Sequence, residues 1–281
     1  MNTDDLVLVG DIGGTHSRFA VVNVSTSPKR IDYRSDLEAK FPDFQACLRA
    51  YLDQTGLTPM PSAIALAVAG PVTAGNVKLT NRAWQISESE LQKFGFRHAL
   101  LINDFAALAF SVSTLAMGDF HTIGPEIEGL PDEPVSILGA GTGFGASCLA
   151  RFRGRAVPVA TEGGHAGFAP SDERQIAVLS ILARRFGHVS IERVLSGPGI
   201  ENLYGALTQL AGRSTRSLTA AEIVGYGESD QDCKETVEMF CAIYGSVAGD
   251  FALAHGARGG IFLAGGIAQK IEKTLQDSAF R

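Results

Sequence analysis

Three times in this chain a short apolar run stops at a cluster of small residues. Residues 6–9 run into Gly10-Asp11-Ile12-Gly13-Gly14-Thr15, residues 135–138 into Gly139-Ala140-Gly141-Thr142-Gly143, and residues 260–264 into Gly265-Gly266. A buried strand that ends in such a turn frees backbone N–H groups on one concave surface, which suits an anion and phosphate above all. Glycine is 32 of 281 residues, about 11% against a usual figure near 7%, so the clusters exceed background. A tight connection with no ligand explains any single turn equally well, and three together weaken that reading. The GxxxxGK[ST] pattern is absent, which removes a P-loop nucleotidase. Gly141-Thr142-Gly143-Phe144-Gly145-Ala146 matches the dinucleotide fingerprint, with Glu162 downstream. That turn must open a helix, however, and the residues after it, with Gly154 and Pro158, read as a hairpin.

At roughly 150 residues per domain the length suggests about two domains. A strand hairpin around a glycine turn opens each half, which predicts two related α/β lobes, 1–117 and 118–281, with a cleft between them. The Gly- and Pro-rich stretch after Gly118 is the expected boundary. In the first half the pattern predicts strands at 31–35, 63–68, 77–79 and 99–102. Helices are expected after Asp43, with Phe44, Cys47, Leu48, Tyr51 and Leu52 on one face, after Ser87, and over 105–117. Residues 99–118 read as a buried strand running into a buried helix. The second half predicts a hairpin around Arg153-Gly154, helices over 172–186, 198–210, 219–226 and 230–254, and a strand at 260–264. One final helix would carry Ile267, Ile271 and Leu275 on one stripe.

Charge narrows the partners. The net charge of −6 disfavours nucleic acid and anionic lipid, and the alternating Arg151, Arg153 and Arg155 read as a solvated strand face. Cys47, Cys148, Cys233 and Cys241 have no CxxC spacing, so neither a disulfide framework nor a zinc ribbon is expected, in keeping with a reducing cytosol. The N-terminus is acidic where a secretory signal would be basic. The stretch of near-membrane length, 99–118, contains Asn103 and Asp104, an expensive pair inside a bilayer.

Several polar residues stand where chemistry could occur. Asp11 puts a carboxylate in a phosphate turn, where it repels the ligand unless a divalent cation such as Mg²⁺ intervenes; an Asx-turn residue is the competing explanation. Asn103-Asp104 follows a strand and precedes an apolar helix, so one of the pair is either a helix cap or a general base at a strand end. Glu162-Gly163-Gly164-His165 and Glu192 lack metal-ligand spacing but suit recognition of several sugar hydroxyls. Neither a GxSxG elbow nor a Cys-His pairing argues for covalent hydrolysis.

Together with Ile102-Asn103-Asp104-Phe105, Glu192-Arg193-Val194-Leu195-Ser196-Gly197-Pro198-Gly199 and Ala264-Gly265-Gly266, these motifs resemble, in order and spacing, the bacterial glucokinases of the hexokinase/actin-like ATPase superfamily. The resemblance runs from about Leu6 to the last residue. It implies a two-lobed actin-like ATPase (ribonuclease H-like) α/β fold with a cleft between the lobes. The implied reaction is ATP-dependent phosphorylation of D-glucose to glucose 6-phosphate, the first step of glycolysis. Asp104 matches the base that accepts the proton of the 6-hydroxyl, and Asn103, Glu162, His165 and Glu192 match residues that hydrogen-bond glucose. Gly10, Asp11, Ile12, Gly13, Gly14 and Thr15 match the first phosphate loop, with Asp11 near Mg²⁺. Gly139, Gly141, Thr142 and Gly143 match the second, and Gly265 and Gly266 the adenosine side. Gly70-Pro71 and Thr80-Asn81-Arg82-Ala83-Trp84 resemble loops that close over the sugar. The implied protein is cytoplasmic, with ATP, Mg²⁺ and glucose as small-molecule partners and no nucleic acid or membrane; a homodimer is allowed. Family members continue past the final helix with a further strand and helix, so the expectation is a chain cut short. A binding module with impaired turnover therefore remains open, as does a kinase for another hexose. The cysteine-rich zinc motif and helix-turn-helix arm of related ROK proteins are absent, which argues against a regulator.

Overall fold

A computed structural model describes residues 5–14, 16–25, 30–38, 41–79, 82–116 and 118–280. The chain divides into two compact units, Met1–Ala107 and Leu108–Arg281.

In the first unit, alternation of apolar residues builds a one-sided sheet. Strand β1 (Leu6–Ile12) buries Leu6, Leu8 and Ile12, and its antiparallel partner β2 (His16–Asn23) buries Phe19 and Val21. β3 (Arg30–Glu38) extends the sheet beyond β2, while β4 (Ala63–Val68) and β7 (His98–Asn103) run parallel to β1 on its other side, giving the order β3-β2-β1-β4-β7. A two-stranded ribbon, β5 (Asn76–Lys78) with β6 (Gln85–Ser87), lies between them in sequence. Helix α1 (Phe44–Thr55) starts where the Asp43 carboxylate accepts from Ala46 N, and α2 (Glu88–Phe94) where Ser87 accepts from Glu90 N. Phe44, Cys47, Leu48 and Tyr51 of α1 join the strand residues and Trp84 in one core.

The second unit repeats the plan with the order β10-β9-β8-β11. β8 (Val135–Ala140) is buried along its whole length between β9 (Phe144–Phe152), antiparallel to it, and β11 (Gly260–Ala264), parallel to it; β10 (Arg155–Thr161) closes the far edge. Helices α4 (Glu173–Phe186), α5 (Gly197–Leu210), α6 (Ala220–Gly225) and α7 (Gln231–His255) supply the other half of the core. Helix α7 is long and apolar enough to cross a bilayer, but Phe240, Tyr244, Val247 and their neighbours are buried in this core. Its polar side carries Asp232, Lys234, Glu235 and Glu238, the pattern of an amphipathic core helix.

The structure departs from the sequence expectations at three places. Strands β7 and β11 are not buried strands: among the described residues each pairs on one side only, and Leu100 is 53% and Ile261 37% exposed. The helix after β7, α3 (Asp104–Val112), stops five residues short of 117 and is only partly buried. There Ser111 Oγ and Thr114 Oγ1 donate to the carbonyls of Leu108 and Ser111 at 2.7 Å, which competes with continued helix. The last helix is two pieces, α8 (Gly266–Lys270) and α9 (Glu272–Asp277), broken at Ile271 with φ −108° and ψ 18°. Ile271 and Leu275 are nevertheless both buried, so the break preserves the packing that the stripe predicted.

Candidate active site

Parallel pairing fixes where the first unit presents its polar residues. Ile12 is in register with Val68, and Val68 with Asn103, so β1, β4 and β7 end at the same level. Their carboxyl ends deliver Asp11 to Gly14, Gly70-Pro71 and Asn103-Asp104 to one edge of the sheet, where open α/β sheets bind ligands. Ile12 contributes only backbone there, since its side chain is fully buried and its carbonyl accepts from Ala69 N at 3.0 Å. Gly10 still lies within β1, and a Cβ on it would stand 2.7 Å from Leu66 Cδ2 and 3.1 Å from Phe19 Cδ1. Close packing therefore already demands glycine at this position. Asp11 is exposed and faces its cross-strand partner Arg18 at 3.4 Å. Among the described residues no three His, Cys, Asp or Glu side chains converge as a metal cage. A divalent ion here would take one carboxylate and otherwise phosphate and water oxygens, a donor set that fits Mg²⁺ and not a structural metal. Thr15, Thr80 and Asn81 lie outside the described residues.

The turn after β1 is held from below. Arg82 Nε donates to Gly14 O at 2.7 Å and Nη1 to Ser17 Oγ at 3.1 Å, while the guanidinium stacks 4.3 Å over the Trp84 ring. Burial lowers the Arg82 pKa, partly countered by Cys47, whose own thiol burial pushes up. The resemblance places Arg82 in a loop that closes over the sugar; a lone arginine beside a tryptophan carries no sequence signal of this clamp.

At the end of β7 the two readings of Asn103-Asp104 separate by residue. Asn103 Oδ1 accepts from Phe105 N at 3.0 Å and Ala106 N at 3.1 Å, capping α3, while Nδ2 donates to Gly70 O at 3.2 Å. Asp104 then opens the helix, its Oδ1 accepting from Phe105 N at 2.9 Å. The cap is Asn103, and Asp104 is the first residue of the helix it caps.

The second unit gathers the remaining candidates. Gly139 is a strand residue, paired with Gly145 on one side and Ala264 on the other. Gly141, Thr142 and Gly143 form the turn between β8 and β9, with Thr142 exposed and Gly141 N donating to Gly143 O at 2.8 Å. Gly197 N donates to Gly141 O at 2.8 Å, so the start of α5 fastens this turn, a role the Ser196-Gly197 motif did not disclose. Glu192, in a 3-10 turn at Ile191–Arg193, accepts from Phe144 N through Oε2 at 2.9 Å. A second 3-10 turn, Gly163–His165, lies alongside: Ile191 N donates to Ala166 O and Phe168 N to Val189 O, both at 2.9 Å. Glu162 and His165, both exposed, approach to 3.9 Å, and His188 Nε2 meets His165 O at 3.1 Å. The glycines of this turn pack against β9, since a Cβ on Gly164 would collide with Phe144 O. Gly265 takes φ +86° and lies against Ala140 O, and Gly266 opens α8. Glu162, His165, Glu192 and the glycine turn thus occupy one region of the second unit, as Asp11, Asn103 and Asp104 share one sheet edge of the first.

The glucokinase family model matches residues 8–281. The chain belongs to the glucokinase family. A glucokinase of Caulobacter sp. (strain K31) is 45% identical over 284 residues, covering 100% of this chain and 86% of that protein. Among solved structures, a glucokinase from an Antarctic psychrotroph superposes with a TM-score of 0.87 at 37% identity, covering 98% of this chain and 87% of that one. A Balamuthia mandrillaris glucokinase in complex with glucose has the same fold, with a TM-score of 0.74 at 20% identity over 98% of this chain and 85% of that one. The fold is accordingly α/β of the two-lobed actin-like ATPase class.

Proposed function

We propose that this glucokinase-family chain transfers the γ-phosphoryl group of ATP to the 6-hydroxyl of D-glucose, giving glucose 6-phosphate and ADP. The observation that carries the residue assignment is the shared level of Ile12, Val68 and Asn103 across three parallel strands. Two strand spacings of about 4.8 Å separate β1 from β7, so the glycine turn and Asp104 stand roughly 10 Å apart. That distance leaves room for an acceptor hydroxyl and a phosphoryl group in line between them.

Phosphoryl transfer asks the protein mainly for positioning and for neutralised charge. Asp104 accepts the hydroxyl proton; an ordinary carboxylate is a weak base, so its contact matters most late in transfer, when the hydroxyl has become acidic. Asn103, which caps α3 beside Asp104, hydrogen-bonds glucose together with Glu162, His165 and Glu192. Gly13, Gly14 and Gly141 to Gly143 cradle the phosphates. A Cβ on Gly141 would meet nothing within 4 Å among the described residues, and its φ lies outside the left-handed region. The space an added Cβ would take at Gly141 is left to an approaching phosphate, and Gly265-Gly266 serve the adenosine side. Asp11 would hold Mg²⁺, which when bound neutralises the β- and γ-phosphate oxygens. The four cysteines are buried thiols, in keeping with a cytoplasmic enzyme of glucose breakdown.

The test is ADP release from MgATP with a panel of hexoses. Release with glucose well above mannose, fructose and galactose supports the assignment. Glucose binding without release would point to a binding module, and preferred release with another sugar to a different hexokinase.

A further inference from the structure

Glu192 and Gly143 touch in a way that neither the sugar role of the one nor the phosphate role of the other requires. The Glu192 carboxylate lies against the backbone of the glycine turn: Oε2 accepts from Phe144 N at 2.9 Å, and a Cβ built on Gly143 would collide with that oxygen and stand 3.3 Å from Cδ. The φ of Gly143 is outside the left-handed region, so backbone conformation does not ask for glycine here. Space for the carboxylate does. The same segment is fastened to the turn again, through Gly197 N to Gly141 O at 2.8 Å, and steadied by Ser196 Oγ donating to Glu192 O at 2.7 Å. Both ends of the turn at 141–144 are therefore tied to the segment that carries Glu192.

Resting on the reading above, in which Glu192 binds sugar, we propose that Gly143 is a positioning residue of the sugar site and that Glu192 couples sugar to phosphate binding. A carboxylate offers about four lone-pair sites, and the Phe144 bond uses one, leaving others for a sugar hydroxyl. Glucose bound to Glu192 fixes the carboxylate against the turn, and the fixed turn presents its N–H groups to phosphate. By linkage, nucleotide in the turn must tighten glucose by the same factor. Adding a methyl group at Gly143 pushes the carboxylate away from Phe144 N, a cheap displacement for the tip of a flexible side chain, so the fold survives while the sugar contact moves.

The experiment is calorimetric glucose binding, with and without a non-hydrolysable ATP analogue and Mg²⁺, to the wild type, Gly143→Ala, Glu192→Ala and the double variant. Gly143→Ala is expected to weaken glucose roughly tenfold without nucleotide, the scale of a hydrogen bond to a charged group, and to reduce the mutual tightening to near one. In the Glu192→Ala background the Gly143 change is expected to add less than about twofold, as for residues acting through one contact. Analogue affinity falling while glucose affinity holds would overturn the coupling, as would full additivity in the double variant. An unchanged glucose affinity in Glu192→Ala would instead remove the sugar role itself and overturn the proposal from that side. Glu192→Asp, whose shorter side chain withdraws from Phe144 N without crowding the turn, gives the same readout if Gly143→Ala does not fold, and retained coupling there would also overturn it.

Discussion

Glycine performs different tasks at different points of this chain. At Gly10 it makes room for Leu66 and Phe19; at Gly141 no described residue stands within 4 Å of an added Cβ. Gly10→Ala is expected to destabilise the fold by about 1–3 kcal/mol, the usual cost of overpacking, and to show as a lowered midpoint in chemical denaturation. Gly141→Ala is expected to leave that midpoint in place and to raise the KM for ATP several-fold with the KM for glucose little changed. The opposite assignment of the two effects would count against the phosphate-turn reading. Asp104 calls for a different readout. Asp104→Asn keeps the shape and an oxygen that can accept from Phe105 N, so glucose affinity should stay within about tenfold while kcat falls by about 10²–10⁴, the range for a general base. Turnover within a few-fold of wild type would take the proton-accepting role from Asp104.

Among the elements, those defined by local chemistry were legible in the sequence. Asp43 and Ser87 each start a helix where their side chains predict one, and the helices expected over 172–186 and 219–226 start at Asp172 and Thr219 as caps. Position within a sheet was not: His98–Asn103 and Gly260–Ala264 read as buried because apolar content does not say whether a second neighbour strand exists. The Asn103 cap and the Glu192 contact with Phe144 were also out of reach, since one depends on a choice between adjacent residues and the other joins positions 48 apart. A further long-range contact joins α7 to β8. Ser136 Oγ and His255 Nδ1 lie 2.9 Å apart, and burial lowers the His255 pKa below its ordinary value. The unfolded chain takes up this proton near pH 6.5 and the folded chain resists it, so the contribution is complete above about pH 6.5 and is lost as pH falls below it. His255→Gln should make the stability of the variant less dependent on pH between about 6.5 and 5 than that of the wild type, measured as the difference in denaturation midpoint across that window. Parallel pH curves would show that His255 is not a source of the dependence.

At the scale of the whole molecule, the described residues form two hydrophobic cores that share no residue. Leu8, Phe19, Tyr51 and Leu66 belong to one, and Leu203, Phe240 and Tyr244 to the other. The first unit carries Asp11 and Asp104, and the second carries Glu162, His165 and Glu192. Separate cores also make separable stabilities. Leu66 and Leu203 are both fully buried, and truncation to alanine at either should cost about 2–5 kcal/mol locally. Followed by the fluorescence of Trp84, which belongs to the first core, Leu66→Ala should shift the unfolding transition to lower denaturant. Leu203→Ala should leave the Trp84 transition nearly in place while lowering the midpoint of the helical signal, which comes mostly from α4, α5 and α7. Equal shifts of both signals in both variants would mean that the two cores unfold as one cooperative unit.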